Sequence, residues 1–184
     1  MTEVFSPVNI VLALPPVIGV LSAGWTGAAW GAAVSAVCGG VPAVTIARGV
    51  RRGGLDSRHI VDRKSRFVPM LFALAAVVVM LAALLVWDGP RAVTASVVVM
   101  LAWLATLGPI TAVWKISFHT AVSAGAVVML AYLLPAVVTL VVGVLLVAVI
   151  GWARVRVTHH TLAQVLVGAP VGAAVAWAVF ALMV

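Results

Sequence analysis

A chain of 184 residues that is 65% hydrophobic, 8% charged and of mean hydropathy +1.30 carries more apolar surface than a soluble core of its size can hide. An ordinary soluble domain is excluded, and a polytopic membrane protein is left. The formal net charge of +7, from 11 Lys and Arg against 4 Asp and Glu, also excludes any site built from many carboxylates.

Each apolar run has roughly 16 to 23 residues, near the roughly 20 that cross a hydrocarbon core as a helix, and none alternates like a barrel strand. The expected fold is all-α: a polytopic transmembrane helical bundle of about six or seven spans, in a single domain over 1–184. In chain order the spans are expected at 9–24, 26–47, 67–87, 92–113, 119–135, 136–153 and 161–183. The start, MTEVFSPVN, has Glu3 and no basic residue, so the run after it reads as a first span rather than a cleavable signal. Pro15 and Pro16 leave open a broken or re-entrant first pair. Tight turns are expected at GWTG (24–27), WDGPR (87–91) and LLPA (133–136), and the one long polar loop is 48–66. The single cysteine, Cys38, has no intrachain partner and reads as packing.

Two spans separate the loop 48–66 from the junction WKISFH at 114–119, and two more separate that junction from RVRVTHH at 154–160. The three polar clusters therefore share one face. That face carries every Lys and Arg except Arg91, which lies beside Asp88 at an opposite turn. By the positive-inside tendency it is expected to be cytoplasmic, in the cell (plasma) membrane.

The carboxylates are Glu3, Asp56, Asp62 and Asp88, too few for the oxygen-rich Mg²⁺ sites of membrane prenyltransferases or alcohol phosphotransferases. His59, His119, His159 and His160 show no tight zinc spacing. What remains is metal-independent chemistry on an anion, with cationic side chains stabilising charge and histidines supplying a nucleophile and an acid. Phosphoryl transfer fits, because its transition state spreads negative charge over three equatorial oxygens that placed Arg and Lys can hold. Histidine attacks phosphorus or moves protons near neutral pH.

In Ala153-Arg154, five residues, His160, three residues, Gln164, and in Ile116-Ser117-Phe118-His119, the chain resembles the type 2 phosphatidic acid phosphatase superfamily. Integral-membrane members of that superfamily carry K-x6-RP, PSGH and SR-x5-H-x3-D. The Arg154–His160 spacing selects His160 over His159, and KISFH and HTLAQ follow the form of divergent members. The resemblance covers most of the chain after residue 48. It implies that His160 is the nucleophile forming a phosphohistidine, that His119 protonates the leaving group and that Arg154 binds phosphate oxygens. Ser117 would add a hydrogen bond. Lys115, one turn before His119 if the helix already starts there, would face the same way.

Two departures stand out. In the first motif Arg66 aligns with the arginine, but Phe67 replaces the proline and His59 the lysine; DRKSRFVP, with Arg63, Lys64 and Arg66, is a divergent source of the same cations. Gln164 replaces the aspartate that would orient the histidine. On a helix starting near Thr161, residues 160 and 164 lie one turn apart, so the Gln164 amide oxygen can accept the Nδ1–H bond without offering a negative charge. The helix N-terminus favours the transferred phosphoryl group.

Arg48, Arg51 and Arg52 read as a solvated, anionic-lipid-facing segment. Trp25, Trp87, Trp114 and Trp152 fall near span ends and read as interface residues. Gly168 and Gly172 are spaced to press the helix of Gln164 against a neighbour. The expected function is hydrolysis of a lipid phosphate: an isoprenoid (polyprenyl) phosphate or diphosphate first, phosphatidic acid next. The partner is the membrane lipid substrate, not nucleic acid; no cofactor is called for, and a homo-oligomer is left open. Two alternatives stand beside it: a non-catalytic lipid-binding or assembly protein on the same fold, and a small organic-anion transporter using the same basic cluster.

Overall fold

The computed structural model describes residues 6–51 and 67–184, and every regular element among them is helical. Helix α1 (Pro7–Val34) opens with Ser6, whose side chain accepts the Asn9 amide at 3.3 Å, and with Pro7 where a missing N–H costs nothing. It does not continue straight. At Ala23 (φ −146°, ψ 22°) and Gly24 (φ 57°, ψ −140°) the chain folds back, in a conformation that residues with a Cβ rarely take. The prolines do not break this segment: Pro15 and Pro16 lie inside the helix, because their fixed φ is helical and only amide donors are lost.

The two limbs run antiparallel. Ser35 Oγ donates to Leu12 O at 2.7 Å, and a Cβ added at Gly19 or Gly31 would strike the main chain of Gly27 or Pro15. Small residues thus let the limbs approach to backbone contact, the usual way helices associate where lipid removes a hydrophobic drive. A π-helical stretch, Ser35–Gly40, leads into α2 (Val41–Arg51), which carries Arg48 and Arg51 in its last turn.

Helix α3 (Phe67–Val86) and α4 (Arg91–Val113) form a hairpin, closed where Gly89 N donates to Leu84 O at 2.7 Å and Asp88 takes a left-handed φ of 51°. Helices α5 (Phe118–Ala131), α6 (Ala136–Arg156) and α7 (Leu162–Met183) complete the bundle. α5 is central, packed on α7, α6 and α1. It runs antiparallel to α6, with Gly143 against Val127 and Gly151 against Thr120. It runs parallel to α7, with Gly168 against Ser117 and Gly172 against Ala121. The starts of α5 and α7 and the end of α6 therefore meet at one end of the bundle.

The expected span count is met in part. Among the described residues four stretches are long and apolar enough to cross a membrane: Pro7–Arg51, Arg91–Val113, Ala136–Arg156 and Leu162–Met183; Met70–Val86 and Phe118–Ala131 are apolar but shorter. At roughly 1.5 Å per residue, the 14 residues of α5 reach roughly 21 Å, short of a hydrocarbon core of roughly 30 Å. The expected span at 119–135 was too long because the chain leaves the helix at Tyr132, ahead of Pro135. Elsewhere helices overrun their expected ends, α2 to Arg51 and α6 to Arg156.

Leu14, Ile18, Trp103, Leu107, Ile116, Ala121, Met129 and Phe180 form one core cluster; a second joins Val34, Cys38, Met80, Val93 and Met100. The outer face of α6, with Val137, Val138, Val142 and Leu145, is exposed. Trp25 and Trp87 project at one end and Trp152 at the other, while Trp103 is buried and is not an interface residue.

Candidate functional site

The last turn of α6 lies against the beginnings of α5 and α7, since a Cβ on Gly151 would meet Val165 Cγ1 at 2.6 Å and Thr120 Cγ2 at 3.6 Å. One turn on from Gly151 stands Arg154, only 4% exposed. An arginine so far from water demands hydrogen-bond acceptors, and the carbonyl end of α6 favours a cation there. Arg156, two residues later, is exposed, with its guanidinium 5.9 Å from the centre of the Trp152 ring. That pair is built as an interface anchor.

After α6 the chain turns sharply: Val157 N donates to Ala153 O at 3.1 Å, Thr158 N donates to Val155 O at 3.0 Å, and Thr158 has φ 56°. A β-branched residue is strained in that region. His159 is half-buried and His160 buried. Thr161 then caps α7 reciprocally: Gln164 N donates to Thr161 Oγ1 at 3.4 Å, and Thr161 N donates to Gln164 Oε1 at 3.1 Å.

That capping box has a consequence for His160. A backbone N–H can only donate, so the atom of the Gln164 amide that faces Thr161 N must be the oxygen. The same Oε1 lies 3.2 Å from His160 Nδ1. The neutral imidazole therefore carries its proton on Nδ1 and its lone pair on Nε2. A residue that sequence spacing allows as an orienting partner thus also caps the helix.

Ser117 ties α5 to this centre. Its N–H donates to Gln164 O at 3.3 Å, while its buried side chain caps α5 by accepting the Thr120 amide at 3.5 Å. The hydroxyl hydrogen is what it has left to offer an anion. The one Thr120 hydroxyl hydrogen is shared between Val165 O at 3.3 Å and Ser117 O at 3.2 Å, a second strap that sequence reading did not single out. A third lies deeper, where Trp103 Nε1 donates to Gly172 O at 3.0 Å. No periodic signal marks either donor.

His119 is buried in the first turn of α5. Ala121 and Gly125 face Gly172 of α7, and at about 100° per residue His119 stands on the opposite side of α5 from Ala121. His160, Gln164 and Ser117 are thus joined directly and α6 brings Arg154 to the same end, whereas His119 reaches that end from the other side of α5. The expectation for Lys115 needs correction. α5 begins at Phe118, with Trp114 extended at φ −141°, ψ 126°, so Lys115 is not one helical turn from His119. Ile116, wholly buried in the core, pins this stretch, and Ser117 starts the helix after it. Arg63, Lys64 and Arg66, like His59, lie outside the described residues.

Among the described residues no three His, Cys, Asp or Glu side chains converge to hold a metal ion. Compared with protein-family models, with curated proteins and with solved structures, the chain finds no match in any of the three.

Proposed function

We propose that this protein is an integral-membrane phosphohydrolase that removes phosphate from a lipid phosphate or diphosphate, of isoprenoid or phosphatidic-acid type, through a phosphohistidine. The supporting observation is the Gln164 oxygen that accepts from both Thr161 N and His160 Nδ1, leaving the lone pair on His160 Nε2 at the end of the bundle where Arg154 is buried.

In the first step Nε2 of His160 attacks phosphorus and the bond from phosphorus to the lipid oxygen breaks. The electron pair leaves on that oxygen, which takes a proton from His119. Arg154, with the Ser117 hydroxyl, meets the charge on the equatorial oxygens. In the second step water attacks phosphorus, its proton returns to His119, and the P–N bond breaks to give inorganic phosphate and neutral His160. Gln164 orients the ring throughout but cannot neutralise the imidazolium, so turnover is slower than a carboxylate there would allow.

In this reading the doubled-back first stretch counts as two spans and α3 and α5 as one each, giving seven, with the phosphate end on the cytoplasmic side. The missing carboxylate favours one competing reading, a lipid-binding protein that has lost turnover. Phosphate release by purified protein in EDTA, over farnesyl, geranylgeranyl and polyprenyl phosphates and diphosphates and phosphatidic acid, separates the two. Release from at least one lipid is expected. A folded protein that binds a lipid and releases nothing is the non-catalytic alternative.

A further inference from the structure

Among the described residues seven serine and threonine side chains are buried: Ser35, Thr94, Ser96, Thr111, Ser117, Thr120 and Ser123. Five are satisfied by main-chain partners. Thr111 Oγ1 and Ser123 Oγ are buried with no hydrogen-bond partner. For Ser123 this is unexpected on chemical grounds, since a serine inside a helix can turn its hydroxyl onto the carbonyl four residues back, as Ser22 does onto Ile18 O at 2.8 Å. An unmade hydrogen bond in an apolar bundle is costly, so an acceptor brought to this hydroxyl would be held there.

Its position says what that is. Ser123 follows His119 by four residues, on the same face of α5 and about 6 Å further into the bundle. On one side of that face Val122, Ala126 and Met129 share a core cluster with Leu14 and Ile18 of α1. On the other, Val127 meets Gly143 of α6. α1 and α6 flank α5 without packing extensively on each other. His119 and Ser123 thus stand one above the other beneath the seam between two flanking helices, His119 nearer the phosphate end; both are less than a tenth exposed, so a lipid reaches them by parting α1 and α6.

Building on the proposed lipid phosphatase, we propose that Ser123 is a specificity-determining residue: its hydroxyl donates to an acyl-ester carbonyl of a lipid whose body lies in the α1–α6 seam. A phosphate at the mouth of the seam puts such a carbonyl a few ångströms inward, at the depth of Ser123. An isoprenoid chain carries only hydrocarbon at that depth and leaves the hydroxyl unsatisfied.

The test compares a diacyl phosphatidic acid with its dialkyl-ether analogue, which differs by the two carbonyls, in the full-length protein, Ser123→Ala and Ser123→Thr. Affinity is read by thermal-shift titration in detergent, and kcat/KM by phosphate release. Wild type binds the ester about five- to tenfold more tightly than the ether, as one neutral hydrogen bond allows. Ser123→Ala loses that ratio without weakening the ether, and Ser123→Thr restores it. A ratio near one in wild type, or one that survives in Ser123→Ala, overturns the proposal. Ester preference in binding with no phosphate released would sink the phosphatase reading and leave the Ser123 subsite standing.

Discussion

Replacing Gly168 by alanine tests how the candidate site is held together. A Cβ at this position would lie 2.7 Å from Thr120 Oγ1 and 2.8 Å from Ser117 O, about 0.6–0.7 Å short of the 3.4 Å at which ordinary contact begins. Neither neighbour yields easily. Ser117 O is main chain and already accepts from Ala121 N at 3.1 Å, while the Thr120 hydroxyl is engaged with Val165 O at 3.3 Å. α7 must therefore back away from α5. The bonds that suffer are Thr120 Oγ1 to Val165 O and Ser117 N to Gln164 O, both already 3.3 Å long. Overpacking costs about 1–3 kcal/mol and each of the two weakened bonds about 0.5–1.5 kcal/mol, against about 1 kcal/mol gained from alanine in a helix; the net loss is about 1–5 kcal/mol. A shift of this size at Gln164 also carries His160 off line, which lowers phosphate release by about tenfold or more. Thermal unfolding in detergent and lipid phosphate release measure the two effects. Gly40→Ala is the control, because nothing lies within 4 Å of a Cβ there. If Gly168→Ala unfolds and turns over like Gly40→Ala, the α5–α7 contact does not position the site.

Gln164→Glu keeps an acceptor for both Thr161 N and His160 Nδ1 and adds charge, so phosphate release holds or rises; Gln164→Leu removes both contacts, costs about 0.5–2 kcal/mol of cap and slows release about tenfold or more. Equal loss in both variants would undo the tautomer assignment. Thr158→Gly relieves a left-handed β-branched residue and is expected to raise stability by about 0.5–1 kcal/mol with turnover unchanged; a lower unfolding midpoint contradicts the strain. Trp103→Phe removes the donor to Gly172 O from a buried position and is expected to cost about 1–3 kcal/mol, seen as a lower midpoint in the same assay.

The parts of the fold that were legible in sequence are those set by local chemistry. Gly24 marks the first reversal because a left-handed φ needs glycine, and the turns at 87–90 and 132–135 follow from Asp, Gly and Pro. The one-turn spacing of residues 160 and 164 anticipates the Gln164 contact with His160, because both are fixed by the same helix start. Harder to read was anything that depends on rotation about a helix axis. These helices are apolar on nearly every face, so periodicity does not reveal which side meets a neighbour. Trp103 is therefore indistinguishable in sequence from the exposed Trp152, although it grips α7. Lys115 does not share a helical face with His119 because the helix start depends on burial of Ile116, a tertiary fact. The π-helical turn at Ser35–Gly40 likewise answers to packing against the first limb, where Gly39 meets Leu12.

The central claim is that His160 takes the phosphoryl group on Nε2. The most direct test is to incubate the purified protein in EDTA with lipid phosphate labelled in its phosphorus, quench in alkali and measure label on the polypeptide, in wild type, His160→Ala, His119→Ala and His159→Ala. Label that is stable to alkali, lost in acid, absent from His160→Ala and present in His159→Ala is the predicted result. Phosphate release without labelled protein, or label that persists in His160→Ala, would contradict it.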